Sequence, residues 1–153
     1  MLDSLDYKII ELLTTTGRMT WADLSSILGL SAPSAADRVK RLEEKGVITG
    51  YSARINYQAL GYTITAFVAV NLTHPKYIGS FIEAVNEISE IEECHHTAGD
   101  DDYLLKVRCN TTLHLDSLLN NKLKRIDGVS RTRTTIVLSS NKEKPLSKFD
   151  YKE

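Results

Sequence analysis

The apolar positions between residues 20 and 45 follow a helical period in two successive runs. The first run repeats every three or four residues and consists of Trp21, Leu24, Ile27 and Leu28. Thr20 precedes this run as a candidate N-cap residue, and Gly29 follows it as a residue that readily ends a helix. The pattern therefore predicts a short helix with one apolar face, followed by a tight turn.

The second run begins at Ser31, another candidate N-cap, with Pro33 in the first turn, where a missing N–H costs little. Its apolar face consists of Ala35, Ala36, Val39 and Leu42. The helix is expected to end at Lys45-Gly46. Small side chains at the start of a helix and arginines further along suit a helix that lies in the major groove of DNA. We therefore predict a helix-turn-helix, against the simpler alternative of two amphipathic helices without a DNA role.

The polar face of the second helix supplies the candidate DNA contacts. These are Ala32, Ser34, Asp37, Arg38, Arg41 and Lys45. Arg38 and Arg41 are expected to contribute most, because an arginine–guanine pair adds about 1–3 kcal/mol of discrimination and phosphate contacts add salt-sensitive affinity. The alternative is a solvated face on which Asp37 pairs with Arg41. Trp21 is expected to pack in the core or at the edge of the groove.

Additional elements are predicted on either side of this helix pair. A first helix, with Asp3 or Ser4 as its N-cap and Gly17 after its end, has an apolar stripe formed by Leu5, Ile9, Leu12 and Leu13. After the pair, residues 47–48 and 51–55 are expected to form a small β wing. We therefore predict a winged helix-turn-helix domain over residues 1–55, followed by a short linker over residues 56–62.

The pattern beyond residue 63 alternates between strands and helices. Strands are predicted at 63–72, 91–98, 102–109 and 131–139, and helices at 78–88 and 115–126. The first strand is apolar enough to predict burial on both faces. The order βαββαβ predicts a ferredoxin-like domain over residues 63–140, with an antiparallel sheet and both helices on one face. The charged tail, residues 141–153, is expected to extend loosely and to cover a neighbouring subunit.

Composition limits the class of protein. The chain has 153 residues, of which 42% are hydrophobic and 25% charged, as in globular proteins. The net charge of −1 means that a basic DNA face must arise from segregation of charge, which favours binding as a dimer or larger oligomer. With no apolar run of about 18 residues and no secretory start, we expect a cytoplasmic protein without membrane contact.

Few side chains suggest metal binding or catalysis. Three adjacent carboxylates, Asp100 to Asp102, could attract a hard cation, but their spacing matches no known metal-binding loop. His95 and His96 point to opposite faces of a strand, and no orienting acid accompanies Cys94. Cys94 and Cys109 are expected to be free thiols. We predict no metal, no cofactor and no enzymatic activity.

Four segments together resemble one known family. They are LDxxDxxII at residues 2–10, RVKRLEEKGVITGY at 38–51, GDDDYLLKVR at 99–108 and GVSRTRTTIVL at 128–138. Their order and spacing over nearly the whole chain resemble the Lrp/AsnC family, also called feast/famine regulatory proteins. The resemblance implies a transcription regulator whose N-terminal domain binds double-stranded DNA. It also implies a C-terminal domain that dimerises, assembles dimers into octamers or similar rings, and often binds an amino acid.

The resemblance also indicates where an amino-acid effector would bind. Backbone groups of the turn formed by Gly99, Asp100, Asp101 and Asp102 would hold its two charged ends, and Thr132 and Thr134 would add hydroxyl groups. Two positions depart from the family pattern. Asp101 stands where an aromatic residue is usual, which favours a cationic or polar effector, and Pro33 lies one place later than is common, which alters the bases contacted.

Two other functional classes remain open from the sequence. One is a DNA-organising multimer that works without a ligand. The other is a metabolite-binding module without a DNA role, because ferredoxin-like domains serve many functions. DNA binding measured with and without amino acids distinguishes these classes from a ligand-tuned regulator.

Overall fold

The chain forms two compact units in the computed structural model, which describes residues 2–149. The first unit contains Met1–Ile55 together with the tail Lys142–Glu153, and the second is Asn56–Asn141. No helix in the described part of the chain is long and apolar enough to span a bilayer. Each unit has its own hydrophobic core.

The first unit consists of three helices whose ends follow the predicted capping residues. They are α1 (Ser4–Thr15), α2 (Trp21–Leu28) and α3 (Ala32–Glu44). Asp3 and Asp6 form a reciprocal capping box at the start of α1, and Thr20 accepts a hydrogen bond from the backbone N–H of Asp23. Gly29 ends α2 at φ +67°, a conformation that glycine adopts without steric cost. The three predicted helices and their caps are confirmed.

The core of the first unit is built from residues of all three helices. Its fully buried members are Ile9, Leu24, Ala35, Val39 and Leu42. Trp21 and Ile27 lie outside it, with 50% and 46% of their surface exposed. Trp21 is therefore not a core residue, and the predicted apolar face of α2 is buried only at Leu24 and Leu28. Ile27 is rotated about 100° from Leu28 around the helix, and Trp21 stands at the first helical position, one turn before Leu24.

The predicted β wing is also wrong, because no strand occurs between residues 47 and 55, all of which the structure describes. The N–H groups of Val47 and Ile48 donate to the carbonyl of Leu42 at 2.9 and 3.2 Å. Gly46, at φ +68°, turns the chain so that these bonds close the end of α3. The backbone groups that a wing strand would need are therefore used to end α3.

The second unit has the predicted βαββαβ order. Its elements are β1 (Ile64–Leu72), α4 (Ile78–Asn86), β2 (Ile91–His96), β3 (Tyr103–Cys109), α5 (Thr112–Ser117) and β4 (Val129–Ile136). The helix begun by α5 continues as a π-helical turn, Leu118–Lys122, and a 3₁₀ turn, Leu123–Arg125. The four strands form one antiparallel sheet in the order β2-β3-β1-β4.

Both helical segments pack on the same face of this sheet. The buried residues of β1 and β3 contact Phe81 and Val85 of α4, and Leu115, Leu118 and Leu123 of the α5 segment. The opposite face carries Phe67, which is 37% exposed. The prediction that β1 is buried on both faces is therefore wrong for the single chain, because the helices cover only one face.

The segments at the two ends of the second unit have defined contacts. In the predicted linker, the rings of Tyr57 and Tyr62 meet edge to face at 6.5 Å, and the Arg108 guanidinium lies 4.2 Å from the Tyr57 ring centroid. The tail returns to the first unit, where the N–H of Phe149 donates to the Glu11 carboxylate at 3.3 Å. The tail therefore contacts α1 of its own chain.

Candidate functional site

The outer face of α3 is the candidate nucleic-acid interface. A shallow groove of about 500 Å³ follows this face and is lined by Ser34, Asp37, Arg38, Lys40, Arg41 and Glu44. Of the predicted DNA contacts, Ala32, Ser34, Asp37, Arg41 and Lys45 are exposed. The structure therefore places these five residues on the solvent side of one helix, and their contact with DNA stays a prediction.

Arg38 is held within the protein, in contrast to the free side chain expected from the sequence. Its Nη1 lies 3.0 and 2.7 Å from the two carboxylate oxygens of Asp3 and 2.8 Å from Oδ1 of Asp6. Only 21% of the Arg38 side chain is exposed. Hydrogen bonding to Arg38 lowers the pKa of Asp3, so this carboxylate stays charged. No local pattern reveals the contact, because its partners lie 32 and 35 positions away.

Arg41 is exposed and has no ion pair with any residue in the 2–149 range. The alternative in which Asp37 neutralises Arg41 is therefore not formed in the structure. Lys40 lies 3.8 Å from Glu44 in a loose pair with both side chains mostly exposed. Arg41 is thus the arginine of α3 that the fold leaves available to an anionic partner.

A pocket lies beside the turn at residues 99–101, on the face of the sheet that the helices leave open. Its volume is about 230 Å³, and it is lined by Phe67, Ala69, Thr97, Gly99, Asp100, Asp101, Leu104, Arg133 and Thr135. Three of the predicted effector residues, Gly99, Asp100 and Asp101, are in this wall. The apolar side chains come from β1 and β3, and the charged ones from the turn and β4.

Thr132 and Thr134 do not reach this pocket. In the register of the sheet they stand opposite Val70 and Val68, which belong to the buried core, whereas Arg133 stands opposite Ala69. Neighbouring residues of a strand point to opposite faces, so the two threonines lie on the helical side. Thr132 and Thr134 therefore do not line this pocket, contrary to expectation, and β4 contributes Arg133 and Thr135 to it.

The three carboxylates of the turn have separate surroundings. Asp101 forms an ion pair with Arg133. Asp102 accepts a hydrogen bond from the N–H of Leu72 at 2.8 Å, next to the irregularity in the β1–β4 pairing. It therefore stabilises the sheet and does not line the pocket. Within residues 2–149, no group of three or more His, Cys, Asp or Glu side chains is placed to hold a metal ion.

The turn is held by side-chain bonds to its carbonyl groups. The amide of Asn71 donates to the carbonyl of Asp100 at 2.9 Å, and the hydroxyl of Thr97 donates to that of Asp101 at 2.7 Å. The backbone N–H groups of Asp100 and Asp101 have no hydrogen-bond partner in the described chain. The pocket thus combines the guanidinium of Arg133 and the carboxylate of Asp101 with apolar groups from β1 and β3.

The histidines and cysteines of β2 and β3 do not converge. His96 lies against the Tyr103 ring at 5.1 Å, whereas Nε2 of His95 lies 3.0 Å from the Glu93 carboxylate. Both cysteines are free thiols, and burial raises their pKa values, so they stay protonated at neutral pH. The prediction of free thiols is confirmed.

Two family models match the chain along almost its whole length. The model described as winged helix-turn-helix DNA-binding matches residues 2–49, and the Lrp/AsnC ligand binding domain matches residues 65–146. The first match contains all three helices of the first unit, and the second contains the whole sheet except Ile64, the first residue of β1. Both candidate surfaces therefore lie within matched regions.

Individual proteins are similar over the same extent. The proline dehydrogenase transcriptional activator of Rhizobium radiobacter is 42% identical, covering 93% of this chain and 92% of that protein. The leucine-responsive regulatory protein of Haemophilus influenzae is 39% identical, with 93% and 87% covered. A structure of the feast or famine regulatory protein of Mycobacterium tuberculosis with L-methionine is 36% identical, has a TM-score of 0.88, and covers 94% of this chain and 96% of that chain. With its helix-turn-helix, its βαββαβ sheet and these relatives, the chain belongs to the Lrp/AsnC family of transcription regulators.

Proposed function

We propose that this transcription regulator binds DNA through the exposed face of α3 and is controlled by an amino acid that binds at the turn of residues 99–101. The observation that carries the effector assignment is the pocket beside this turn. We further propose that the protein acts in the cytoplasm, where its DNA target lies, without a cofactor or an enzymatic activity of its own.

The pocket suits the two charged ends of a free amino acid. Its α-carboxylate would pair with Arg133 and the backbone donors of the turn, and its α-ammonium with Asp101. Charge-assisted bonds of this kind are stronger than neutral ones and have a defined direction. A zwitterion matches this arrangement because it supplies a partner for each member of the existing ion pair.

The apolar part of the pocket favours an aliphatic side chain. Phe67, Ala69 and Leu104 form the surface against which the effector side chain would lie. The sequence had suggested a cationic or polar effector because Asp101 adds a carboxylate, but Arg133 already pairs with that carboxylate. The bound L-methionine of the Mycobacterium tuberculosis relative supports an apolar amino acid.

We also propose that the protein is a homodimer or a larger assembly of dimers. The open face of the sheet carries apolar side chains that no helix of the chain covers, including Phe67. A dimer would present two copies of α3 to one side of the duplex, with half-sites about 34–36 Å apart. Two sets of phosphate contacts would compensate for the low net charge.

Calorimetric titration with each amino acid tests the effector site. We expect heat with aliphatic amino acids and at least about a tenfold loss of affinity in Arg133→Gln, because a charge-assisted bond to the carboxylate is removed. Arg131→Gln is the matched control, since Arg131 is exposed on the same strand and does not line the pocket. Heat only with lysine or arginine, or an equal loss in both variants, would contradict the assignment.

DNA binding is tested by selecting duplexes from a random library and measuring affinity with and without the active amino acid. We expect binding that weakens steeply with salt and changes when the amino acid is added. Binding that no amino acid alters would favour a DNA-organising multimer. Failure to bind any duplex at low salt would favour a metabolite-binding module.

A further inference from the structure

We infer that Asp3 and Asp6 compete with DNA phosphates for Arg38 and thereby limit the affinity of α3 for DNA. The inference rests on the proposed binding of DNA by α3. We call the three side chains Asp3, Asp6 and Arg38 the α1 clamp. It joins the first turn of α1 to the middle of α3.

The clamp lies at the border of the candidate DNA surface. Arg38 lines the same groove as Ser34 and Arg41, so its side chain is part of the face that would meet the duplex. Within the clamp, its guanidinium makes three contacts of 2.7 to 3.0 Å with the two carboxylates. A phosphate of the duplex would have to replace these contacts to bind Arg38.

The charges of the clamp do not balance. Two carboxylates surround one guanidinium, which leaves a formal charge of about −1 beside the helix that would approach a polyanion. The Asp3 side chain is 53% exposed and accessible to a ligand, whereas only 11% of the Asp6 side chain is exposed. Asp3 is therefore the member whose charge acts most directly on DNA.

Asp3 can be neutralised without removing its structural role. Its Oδ1 caps α1 by accepting the N–H of Asp6 at 2.9 Å, and asparagine or serine can accept the same bond. Asp3→Asn and Asp3→Ser should therefore keep α1 while loosening the hold on Arg38. Two substitutions with the same expected outcome keep the test valid if one of them folds poorly.

The experiment measures the affinity of the full chain for a selected duplex at several salt concentrations. For Asp3→Asn we expect tighter binding at low salt by several-fold, and a slope of log K against log[salt] steeper by about 0.9 for each Arg38 that gains a phosphate. A loss of helix packing alone would weaken binding and would not steepen this slope. Thermal unfolding followed by circular dichroism verifies that each variant is folded.

A double-mutant cycle with Arg38→Gln identifies the source of the effect. Without the guanidinium, Asp3→Asn should no longer steepen the slope. If the slope steepens equally in the Arg38→Gln background, Asp3 repels DNA directly and the inference is wrong. An Asp3→Asn slope equal to that of the wild type also overturns it. A wild-type protein that binds no duplex would instead contradict the proposed DNA function.

Discussion

At the scale of single residues, Gly128 is the glycine with the least room for a side chain. It has φ +88°, and a Cβ atom there would overlap the Cβ and ring of Tyr77. These Tyr77 atoms are close to the backbone and cannot move aside as the end of a flexible side chain could. The carbonyl of Gly128 also accepts a hydrogen bond from the N–H of Thr73 at 2.8 Å. The backbone at Gly128 is therefore also fixed by this bond.

We therefore expect Gly128→Ala to lower the free energy of unfolding by about 2–4 kcal/mol, from left-handed strain and overpacking together. Gly61→Ala is the control, because Gly61 has φ +84° but open space around its Cα, and we expect a loss of about 1 kcal/mol there. Urea unfolding monitored by circular dichroism measures both. Equal losses would show that the contact with Tyr77 relaxes freely.

Adjacent residues of β4 lie on opposite faces of the sheet, so a shift of one position changes which residues line the pocket. Thr134 and Thr135 have the same side chain, yet only Thr135 lines the pocket. Alternation along β4 separates the two faces, but the sequence of β4 alone does not indicate which face the helices cover. The pairing of Arg133 with Ala69 of β1 settles the orientation. The pattern of β4 therefore does not indicate Arg133, which lies between Thr132 and Thr134 and lines the pocket.

At the scale of elements, the second helical segment is less regular than its apolar spacing predicts. An α-helical start, a π-helical turn and a 3₁₀ turn replace the single predicted helix. Lys122, at the end of the π turn, lies 2.6 Å from the carboxylate of Glu90, just before β2. His114 of α5 contacts the same carboxylate at 3.0 Å. Glu90 thus connects both halves of this segment to the sheet.

This connection makes the stability of the second unit depend on pH. Burial raises the pKa of Glu90, but hydrogen bonds from Lys122 and His114 outweigh it and lower the pKa from 4.5 to about 2. A carboxylate with a depressed folded pKa stabilises the protein above pH 4.5, and this contribution is lost as the pH falls toward 2. We expect this contribution to be at most about 3 kcal/mol.

Glu90→Gln should therefore lower the stability at neutral pH and flatten its dependence on pH between about 4.5 and 2. Chemical unfolding at several pH values measures the effect. Glu83→Gln, an exposed position on α4, should leave the pH dependence as in the wild type. An unchanged pH profile for Glu90→Gln would show that Glu90 does not link the α5 segment to the sheet energetically.

At the scale of the whole molecule, the open sheet face would link the proposed assembly to the proposed effector binding. Phe67 is exposed in the single chain and also lines the pocket beside residues 99–101. Packing a second sheet against this face would bury the apolar side chains and change access to the pocket. The same surface would then serve the proposed dimer and the proposed effector, which gives a physical basis for control of assembly by the ligand.

We expect Phe67→Asp to separate the proposed dimer, because a charged side chain would have to be buried between the sheets. Molar mass from light scattering measures the change. Leu113→Asp is the control, since Leu113 is 81% exposed on α5, in the helical layer. A Phe67→Asp protein with the wild-type mass would show that the sheet faces are not the contact between subunits.

The sequence by itself determined the elements whose signals are local. The caps at Asp3, Thr20 and Ser31 act within three residues, and the apolar periods of α1, α3 and β3 lie within single elements. The starts of α1, α2 and α3 and the βαββαβ order therefore followed directly. The resemblance of four segments to the Lrp/AsnC family also indicated a transcription regulator.

Only the tertiary structure decided what depends on distant partners. Arg38 is bonded to carboxylates more than thirty positions away, and Arg133 faces the pocket because of how β4 pairs with β1. The predicted β wing does not form, because the N–H groups of Val47 and Ile48 donate to the Leu42 carbonyl at the end of α3. Local sequence patterns predict the helix or strand to which a residue belongs. Its neighbours in the folded structure determine its exposure and its bonding partners.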